Sequence, residues 1–184
     1  MRSFSKRELL LLFDLLNDDL RKEDICGELY LVGGAVMCLV HGARESTKDV
    51  DGFFKPSQLI RKSAARVASR FMSHDTTTHD VDISENWLND AVKGFLSESG
   101  DYCEFLLLSH LTLYVASPTY LLAMKCLAAR IGEEFHDIDD IQYLVRHLNI
   151  SSYQQAIDTI SLYYPLARFP QKTMYLLQEL LPTS

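Results

Sequence analysis

The hydrophobic pattern of the chain has a helical period at its start and over its last third, with short strand-like runs between. Leucines spaced three and four apart predict an amphipathic helix over 5–22, with Ser5 and Glu8 as its capping box. Short apolar runs ended by glycine or proline predict strands over 28–32 and 48–54. The other predicted elements are helices over 35–40, 57–72, 85–96, 118–131, 135–148, 152–163 and 171–180, and a hairpin of strands 104–109 and 111–116.

The order of these elements predicts the fold class. All predicted strands fall in the first two thirds of the chain, which indicates an α/β (α+β) fold: a small mixed sheet flanked by helices, with a helical C-terminal portion. We place the sheet and the first helix in 1–116 and the helical portion in 117–184, packed together as a single domain. A length of 184 residues agrees with about one domain.

Composition excludes several classes of protein. Hydrophobic residues make up 47% and charged residues 23%, which is too apolar for a disordered chain and ordinary for a globular one. The chain has 18 basic and 25 acidic residues and a net charge of −7, so its surface as a whole cannot bind nucleic acid through positive charge. This composition still allows a local basic stripe. The cysteines lack metal-site spacing and predict free thiols in a reducing compartment: Cys26, Cys38, Cys103 and Cys126.

The N-terminal leucine run imitates a signal peptide, because basic residues precede it. Asp14 interrupts the run and no small-residue cleavage site follows, which argues against a leader. No apolar run is long enough to span a bilayer. We therefore expect a cytoplasmic protein without a membrane partner.

Two short motifs suggest chemistry. Gly33 and Gly34 lie between a predicted strand and a predicted helix, where a glycine turn lets the backbone approach a phosphate. Asp49 and Asp51 are two residues apart on the next predicted strand, so their side chains should share a face. Two carboxylates about 4 Å apart repel by ~4 kcal/mol at an effective dielectric near 20. A Mg²⁺ ion, which takes hard oxygen ligands and substrate phosphates, would relieve that repulsion.

These motifs resemble a known family. Residues 31–35, LVGGA, followed by 41–51, HGARESTKDVD, resemble the AbiEii-like branch of the nucleotidyltransferase superfamily, which is known from toxin–antitoxin and phage-defence systems. Residues 120–130, YLLAMKCLAAR, are similar to the helical lysine block of that branch, and 136–141, HDIDDI, to its downstream Asp-x-x-Asp helix. The similarity covers about residues 28–148, and the two blocks are specific only together.

The resemblance implies a transferase that moves a nucleoside monophosphate from an NTP to a hydroxyl and releases pyrophosphate. It assigns metal ligands for Mg²⁺ or Mn²⁺, phosphate-binding residues and a nucleotide-contacting lysine with an acidic partner. The implied metal ligands are Asp49 and Asp51. The implied phosphate-binding residues are Gly33, Gly34, Arg44, Ser46 and Lys48. The implied nucleotide-contacting lysine is Lys125, and its acidic partner is Asp140 or, as the weaker alternative, Asp137. The implied acceptor is RNA, particularly a tRNA end, in a toxin-like role beside a cognate antitoxin protein; a protein hydroxyl stays open.

One departure from the superfamily pattern leaves an alternative open. Many members have a third carboxylate on a later strand, whereas 113–115 has none and Asp82 is a poor substitute. The base that activates the acceptor hydroxyl is therefore unassigned. The alternative is a non-catalytic module of the same fold that binds a partner protein or a nucleotide, in an antitoxin-like or regulatory role.

Three weaker patterns have ordinary structural explanations. His74 and His79, with nearby aspartates, fit no metal-ligand template and are more typical of a solvated loop. Asp137 and its neighbours could simply favour the start of a helix through its dipole. Lys62, Arg66 and Arg70 form a basic stripe at i, i+4 and i+8, which is either a solvated helix face or an RNA-contacting one.

Overall fold

The computed structural model describes residues 3–74, 83–129 and 136–182. The chain folds into two compact units, Met1–Gly94 with Tyr102–Val115, and Phe95–Asp101 with Ala116–Ser184. Residues 75–82, which contain most of the histidine-rich loop and Asp82, lie outside the described residues. In the ranges that the structure does describe, no helix has the length and apolar character needed to cross a membrane.

The first unit is a mixed sheet with helices, which confirms the α+β class. Its strands are β1 (Phe4–Ser5), β2 (Gly27–Leu31), β3 (Ser46–Thr47), β4 (Val50–Lys55), β5 (Leu88–Asn89), β6 (Tyr102–Leu107) and β7 (Leu111–Ala116). Its helices are α1 (Lys6–Lys22), α2 (Gly33–Val36), which continues as a π-helix over Met37–His41, and α3 (Ser57–His74). The main sheet has the order β5-β4-β2-β7-β6, and β1 pairs separately with β3. β2 runs antiparallel to β4 and parallel to β7, so the sheet is mixed.

Alternation along the central strands gives the sheet one buried and one half-open face. Leu29 and Leu31 of β2 and Val50 and Phe54 of β4 are buried, whereas the residues that alternate with them are half-buried or, at Lys55, exposed. Side chains two residues apart share a face, so Asp51 belongs to the half-open face. The alternation therefore keeps an acidic side chain of a core strand accessible.

Helix α1 begins with the predicted capping box. Ser5 Oγ accepts the Glu8 N–H, and the Glu8 carboxylate accepts the Ser5 N–H at 2.8 Å. The apolar stripe of the helix is fully buried and packs against α3: Leu9, Leu12, Phe13, Leu16 and Leu20.

Two of the three residues of the predicted basic stripe, Arg66 and Arg70, belong to an ion-pair network between α1 and α3. Arg66 donates to buried Asp19 at 2.8 Å and also pairs with Glu23 at 2.6 Å, and Arg70 contacts Asp19 at 2.6 Å. Burial raises the pKa of Asp19, but hydrogen bonds within the network outweigh it and hold that pKa below the usual value. Arg66 and Arg70 therefore tie two helices together, which neither interpretation of the stripe anticipated, and Lys62 remains exposed.

The predicted helix over 85–96 is wrong. Residues Leu88–Asn89 form β5, parallel to β4, and Ala91–Phe95 form a 3₁₀ helix. The indole of Trp87 is buried and donates to the Ala64 carbonyl at 3.1 Å, while the Trp87 carbonyl accepts the Val50 N–H at 2.8 Å. These tertiary contacts fix an extended backbone where the local spacing favours a helix.

The second unit contains the C-terminal helices α4 (Pro118–Ala128), α5 (Asp137–His147), α6 (Tyr153–Ser161) and α7 (Gln171–Leu180), with a 3₁₀ turn over Leu166–Arg168. Ser117 caps α4 by accepting the Tyr120 N–H, and proline occupies the first turn. α4 packs against both α5 and α6. Thr173 of α7 donates to the Cys126 carbonyl at 2.9 Å, so the last helix is tied to α4 by a buried hydrogen bond.

Candidate functional site

The turn after β2 brings a carboxylate against glycine backbone. Gly33 has a left-handed φ of +66°, a conformation that side-chain-bearing residues rarely adopt. A Cβ built on Gly33 would lie 3.2 Å from Oδ2 of Asp51, so this glycine leaves room for the aspartate. The Val32 N–H donates to the Asp51 carbonyl at 2.9 Å, which fixes β4 beside the turn. The predicted Gly-Gly turn and one of the two predicted aspartates thus meet.

The second glycine faces a hydroxyl and a guanidinium. A Cβ on Gly34 would lie 2.8 Å from Oγ1 of Thr47 and 3.1 Å from Nη1 of Arg44. Arg44 is half-buried, and it reaches the turn because the π-helix and the left-handed Gly42 end the preceding helical stretch just before it. A carboxylate, a hydroxyl and a guanidinium therefore meet around two adjacent glycines.

Thr47 is a site residue that the sequence analysis missed. Its side chain is buried, and its hydroxyl donates to the Asp49 carbonyl at 3.1 Å. Backbone pairing with Phe4 of β1 holds the threonine in place. The only local signal is a short polar side chain two residues before Asp49, which a sequence pattern cannot separate from an ordinary loop residue.

The two aspartates are not equivalent. β4 begins at Val50, so Asp49 precedes the strand, is exposed, and lies in the turn held by the Thr47 hydroxyl. Strand alternation therefore orients only Asp51, and the predicted strand start at 48 is two residues too early. Ser46 lies in β3 and is exposed, as is Lys48 in the following turn.

The donor set can be tested against a divalent cation. Among the described residues, no group of three or more His, Cys, Asp or Glu side chains is placed to hold a metal ion. Asp49 and Asp51 would supply at most two carboxylates, so water and substrate phosphates would complete the shell. Mg²⁺ is commonly bound in this way, by one or two carboxylates plus phosphates, and these residues fit it.

The second unit holds the predicted lysine in a buried ion-pair triad. Nζ of Lys125, on α4, lies 2.6 Å from Asp140 and 3.0 Å from Asp137, both on α5. All three side chains are at least nine-tenths buried. Both acidic residues considered for positioning the lysine contact it, so the triad carries a formal charge of −1.

Asp139, by contrast, lies on the exposed side of the first turn of α5. It approaches the ring of His136 at 3.8 Å and is largely exposed. Acidic residues at a helix start are favoured by its dipole, which is sufficient to explain Asp139. Burial and the contact with Lys125 distinguish Asp137 and Asp140 from this neighbour.

Comparison of the chain with protein-family models, with curated proteins and with solved structures found no match.

Proposed function

We propose that the chain is a metal-dependent nucleotidyltransferase that moves a nucleoside monophosphate from an NTP to a hydroxyl of an RNA acceptor. The observation that carries the proposal is the contact between the Asp51 carboxylate and the left-handed Gly33 turn. A carboxylate suits a cation, and glycine backbone, which carries no side chain to block an approaching ligand, suits a phosphate. A Mg²⁺–triphosphate complex needs both kinds of group side by side.

The neighbouring side chains support an anion at the same turn. The guanidinium of Arg44 beside Gly34 offers planar donors that match phosphate oxygens. The buried Thr47 hydroxyl donates to the Asp49 carbonyl and so restrains the backbone of an exposed metal-ligand candidate. The chain thus supplies a positive group for the phosphates and two carboxylates for a cation.

In the proposed reaction, the acceptor hydroxyl oxygen bonds to the α-phosphorus of the NTP. The bond from that phosphorus to the oxygen bridging to the β-phosphate breaks, and its electron pair leaves with pyrophosphate. The hydroxyl proton passes to solvent water. A bound Mg²⁺ would neutralise phosphate charge and orient the α-phosphate. Asp49 and Asp51 would hold it, and Arg44 would orient the phosphates through its donors.

In this proposal Asp137 and Asp140 are positioning residues. Lysine is a flexible point charge, and carboxylates on both sides of its ammonium fix where that charge lies. Contact of Lys125 with the nucleotide is implied by the family resemblance. The resemblance also supports a tRNA end as acceptor and a toxin-like role with a cognate antitoxin. The free thiols and the absence of a bilayer-length apolar run in the sequence support a cytoplasmic location.

The test uses the full chain with each α-³²P-labelled NTP, Mg²⁺ and total RNA, followed by gel separation of RNA and protein. We expect at least one NTP to label RNA, and chelation of the metal to abolish the label. Asp51→Asn should lose the label and stay folded. Asp158→Asn is the matched control, because that aspartate is exposed and accepts a hydrogen bond from a neighbour one helical turn away. Formation of labelled RNA by the Asp51→Asn variant would contradict the proposal.

A second candidate function is a non-catalytic module that binds a nucleotide or a partner protein. The formal charge of −1 on the lysine triad favours it, because two carboxylates already neutralise Lys125. Binding of Mg²⁺–NTP without transfer to RNA or protein in the same assay would support this candidate over the enzyme.

A further inference from the structure

Strand β5 places a side-chain amide beside the Asp51 carboxylate. In the sheet, β4 lies between β2, which leads into the glycine turn, and β5. β5 runs parallel to β4, and Asn89 is the residue paired with Asp51. Directly paired residues share a face of the sheet, and neighbouring strands are about 4.8 Å apart. A ligand held by the Asp51 carboxylate is therefore within reach of the Asn89 side chain.

Burial along β5 agrees with this placement. Leu88, which is paired with Val50, is buried on the core side of the sheet, whereas Asn89 is half-buried. Asn89 therefore belongs to the half-open face, together with Asp51. The carbonyl of Trp87 accepts the Val50 N–H at 2.8 Å, so the register of β5 against β4 is fixed just before Asn89.

One hydrogen bond determines which end of the Asn89 amide is engaged. Its Oδ1 accepts the N–H of Ala91 at 3.2 Å, where the 3₁₀ helix begins. Only the oxygen of a carboxamide can accept a hydrogen bond, so Nδ2 is the other end. Among the residues that the structure describes, Nδ2 of Asn89 has no hydrogen-bond partner. Asn89 thus adds an uncharged donor to the face that carries Asp51.

The next residue, Asp90, is held in ion pairs instead. The ammonium of Lys93 lies 2.5 Å from its carboxylate, and Arg61 pairs with the same group. Hydrogen bonds from Lys93 and Arg61 hold the pKa of Asp90 below its usual value. Two cations therefore already neutralise this carboxylate, and Asn89 is the polar side chain of β5 that a ligand of Asp51 would meet.

We propose that the Asn89 amide donates a hydrogen bond to a phosphate oxygen of the NTP whose Mg²⁺ lies at Asp51. This inference rests on the proposed function, because the metal at Asp51 determines where the phosphates lie. A neutral donor suits this position, since a third negative side chain beside Asp49 and Asp51 would repel the phosphates. A donor held in place by its bond to Ala91 stabilises charge that develops on the phosphate without having to reorient.

The experiment measures binding of Mg²⁺–tripolyphosphate to the full chain by calorimetry. Loss of one hydrogen bond to a charged group corresponds to about 10- to 100-fold in affinity. Asn89→Ala should weaken binding by that factor. Asn89→Asp keeps an oxygen for the Ala91 N–H but replaces the donor with a negative charge, so it should weaken binding at least as much. Asn86→Ala is the matched control, because Asn86 is an exposed asparagine three residues earlier, and it should leave binding unchanged.

Unchanged or tighter binding in Asn89→Asp would overturn the role of Asn89 and leave the proposed function standing. Failure of the unaltered chain to bind Mg²⁺–tripolyphosphate or any Mg²⁺–NTP would overturn both. A second measurement avoids folding defects, because it uses the unaltered chain: the side-chain amide signals of Asn89 in ¹⁵N–¹H NMR spectra, assigned by their loss in Asn89→Asp. We expect these signals to shift as Mg²⁺–tripolyphosphate is added, while those of Asn86 stay in place. Asn89 signals that do not move at saturation would contradict the inference.

Discussion

Nζ of Lys125 lies 2.6 Å from Oδ2 of Asp140, and these residues stand on two packed helices with 10% and 1% of their side chains exposed. A buried ion pair is costly to break, because the remaining partner keeps its charge without water. Asp137 adds a second carboxylate at 3.0 Å, so loss of the lysine would leave two like charges together. The α4–α5 contact should therefore depend on this one ammonium.

Lys125→Met should destabilise the protein by about 3–5 kcal/mol, the range for removing one partner of a buried pair. Asp140→Asn should cost less, because Lys125 keeps Asp137 as a counter-charge. The free energy of unfolding in urea, measured for both variants, tests this order. A larger loss in Asp140→Asn than in Lys125→Met would contradict it.

The same triad predicts non-additive effects on transfer. If the lysine reaches the nucleotide, Lys125→Ala should cut turnover strongly and Asp140→Ala by a similar or smaller factor. The double variant should be less impaired than the product of the two, because the residues act as a unit. Turnover is compared at a temperature where all variants are folded, as judged by circular dichroism. Strictly multiplicative losses would indicate that the two residues act separately.

Gly33→Ala should impair nucleotide binding through Asp51. The left-handed φ of +66° costs an alanine about 1 kcal/mol, and its Cβ would lie only 3.2 Å from the Asp51 carboxylate. Gly42→Ala is the matched control, since Gly42 has a φ of +60° but no atom of the described residues within 4 Å of its Cβ position. Both variants should lose similar stability, and only Gly33→Ala should lose Mg²⁺–NTP affinity in calorimetry. Equal affinity in the two variants would remove Gly33 from the site.

Asp19→Asn should destabilise the protein in a pH-dependent way. The pKa of Asp19 is held below its usual value in the folded state, so its contribution is fully present above the unfolded pKa of about 4 and is lost as pH falls through the folded pKa. We expect a loss of about 1–3 kcal/mol at pH 7, discounted because Arg66 and Arg70 are partly exposed. Urea unfolding should show that the difference in stability between Asp19→Asn and the unaltered chain is smaller below about pH 4 than at pH 7.

Asp18→Asn is the control for this pH dependence. Asp18 pairs with Arg21 one turn along α1, and both side chains are more than half exposed. Exposed ion pairs contribute little to folding stability, so Asp18→Asn should change the free energy of unfolding by at most about 0.5 kcal/mol at either pH. A pH-dependent loss as large as that of Asp19→Asn would show that the network around Asp19 has no special role.

The four thiols should divide into two classes by reactivity. Burial raises the pKa of the Cys126 thiol to about 12, so only about one molecule in ten thousand is thiolate at pH 8. Burial also raises the pKa of Cys38, whereas Cys26 and Cys103 are exposed. Alkylation followed by mass spectrometry should modify the exposed pair in the folded chain and the buried pair only in denaturant. Rapid modification of Cys126 without unfolding would contradict its placement.

Local patterns determined most of the helical fold. The capping box of α1 joins residues three apart, so Ser5 and Glu8 could be paired from sequence alone. The bounds of α7, 171–180, and the first turn of α4 likewise depend on local periodicity, proline and capping side chains. In each case the stabilising groups are close along the chain, which is why a single sequence reveals them.

The candidate site residues also differ in whether the sequence or only the tertiary structure identifies them. Sequence spacing indicated Gly33 and Asp51, because strand ends and strand alternation have local signatures, whereas Lys125 came from the family resemblance alone. Only the tertiary structure placed Thr47 at the glycine turn, since the pairing of its backbone with Phe4 of β1 joins residues that are distant in sequence.

Long-range contacts decided the remaining differences. β5 is extended because the Trp87 indole donates a hydrogen bond to the carbonyl of Ala64, 23 positions away in sequence. Burial of that ring outweighs the local helical spacing. Arg66 lies in an ion-pair network because α1 and α3 pack together and bring Asp19 within reach. Periodicity along the chain determined which face each helix buries. The pairing of charged groups depended instead on packing between elements that are distant in sequence, because a side chain's partner is set by distance in space.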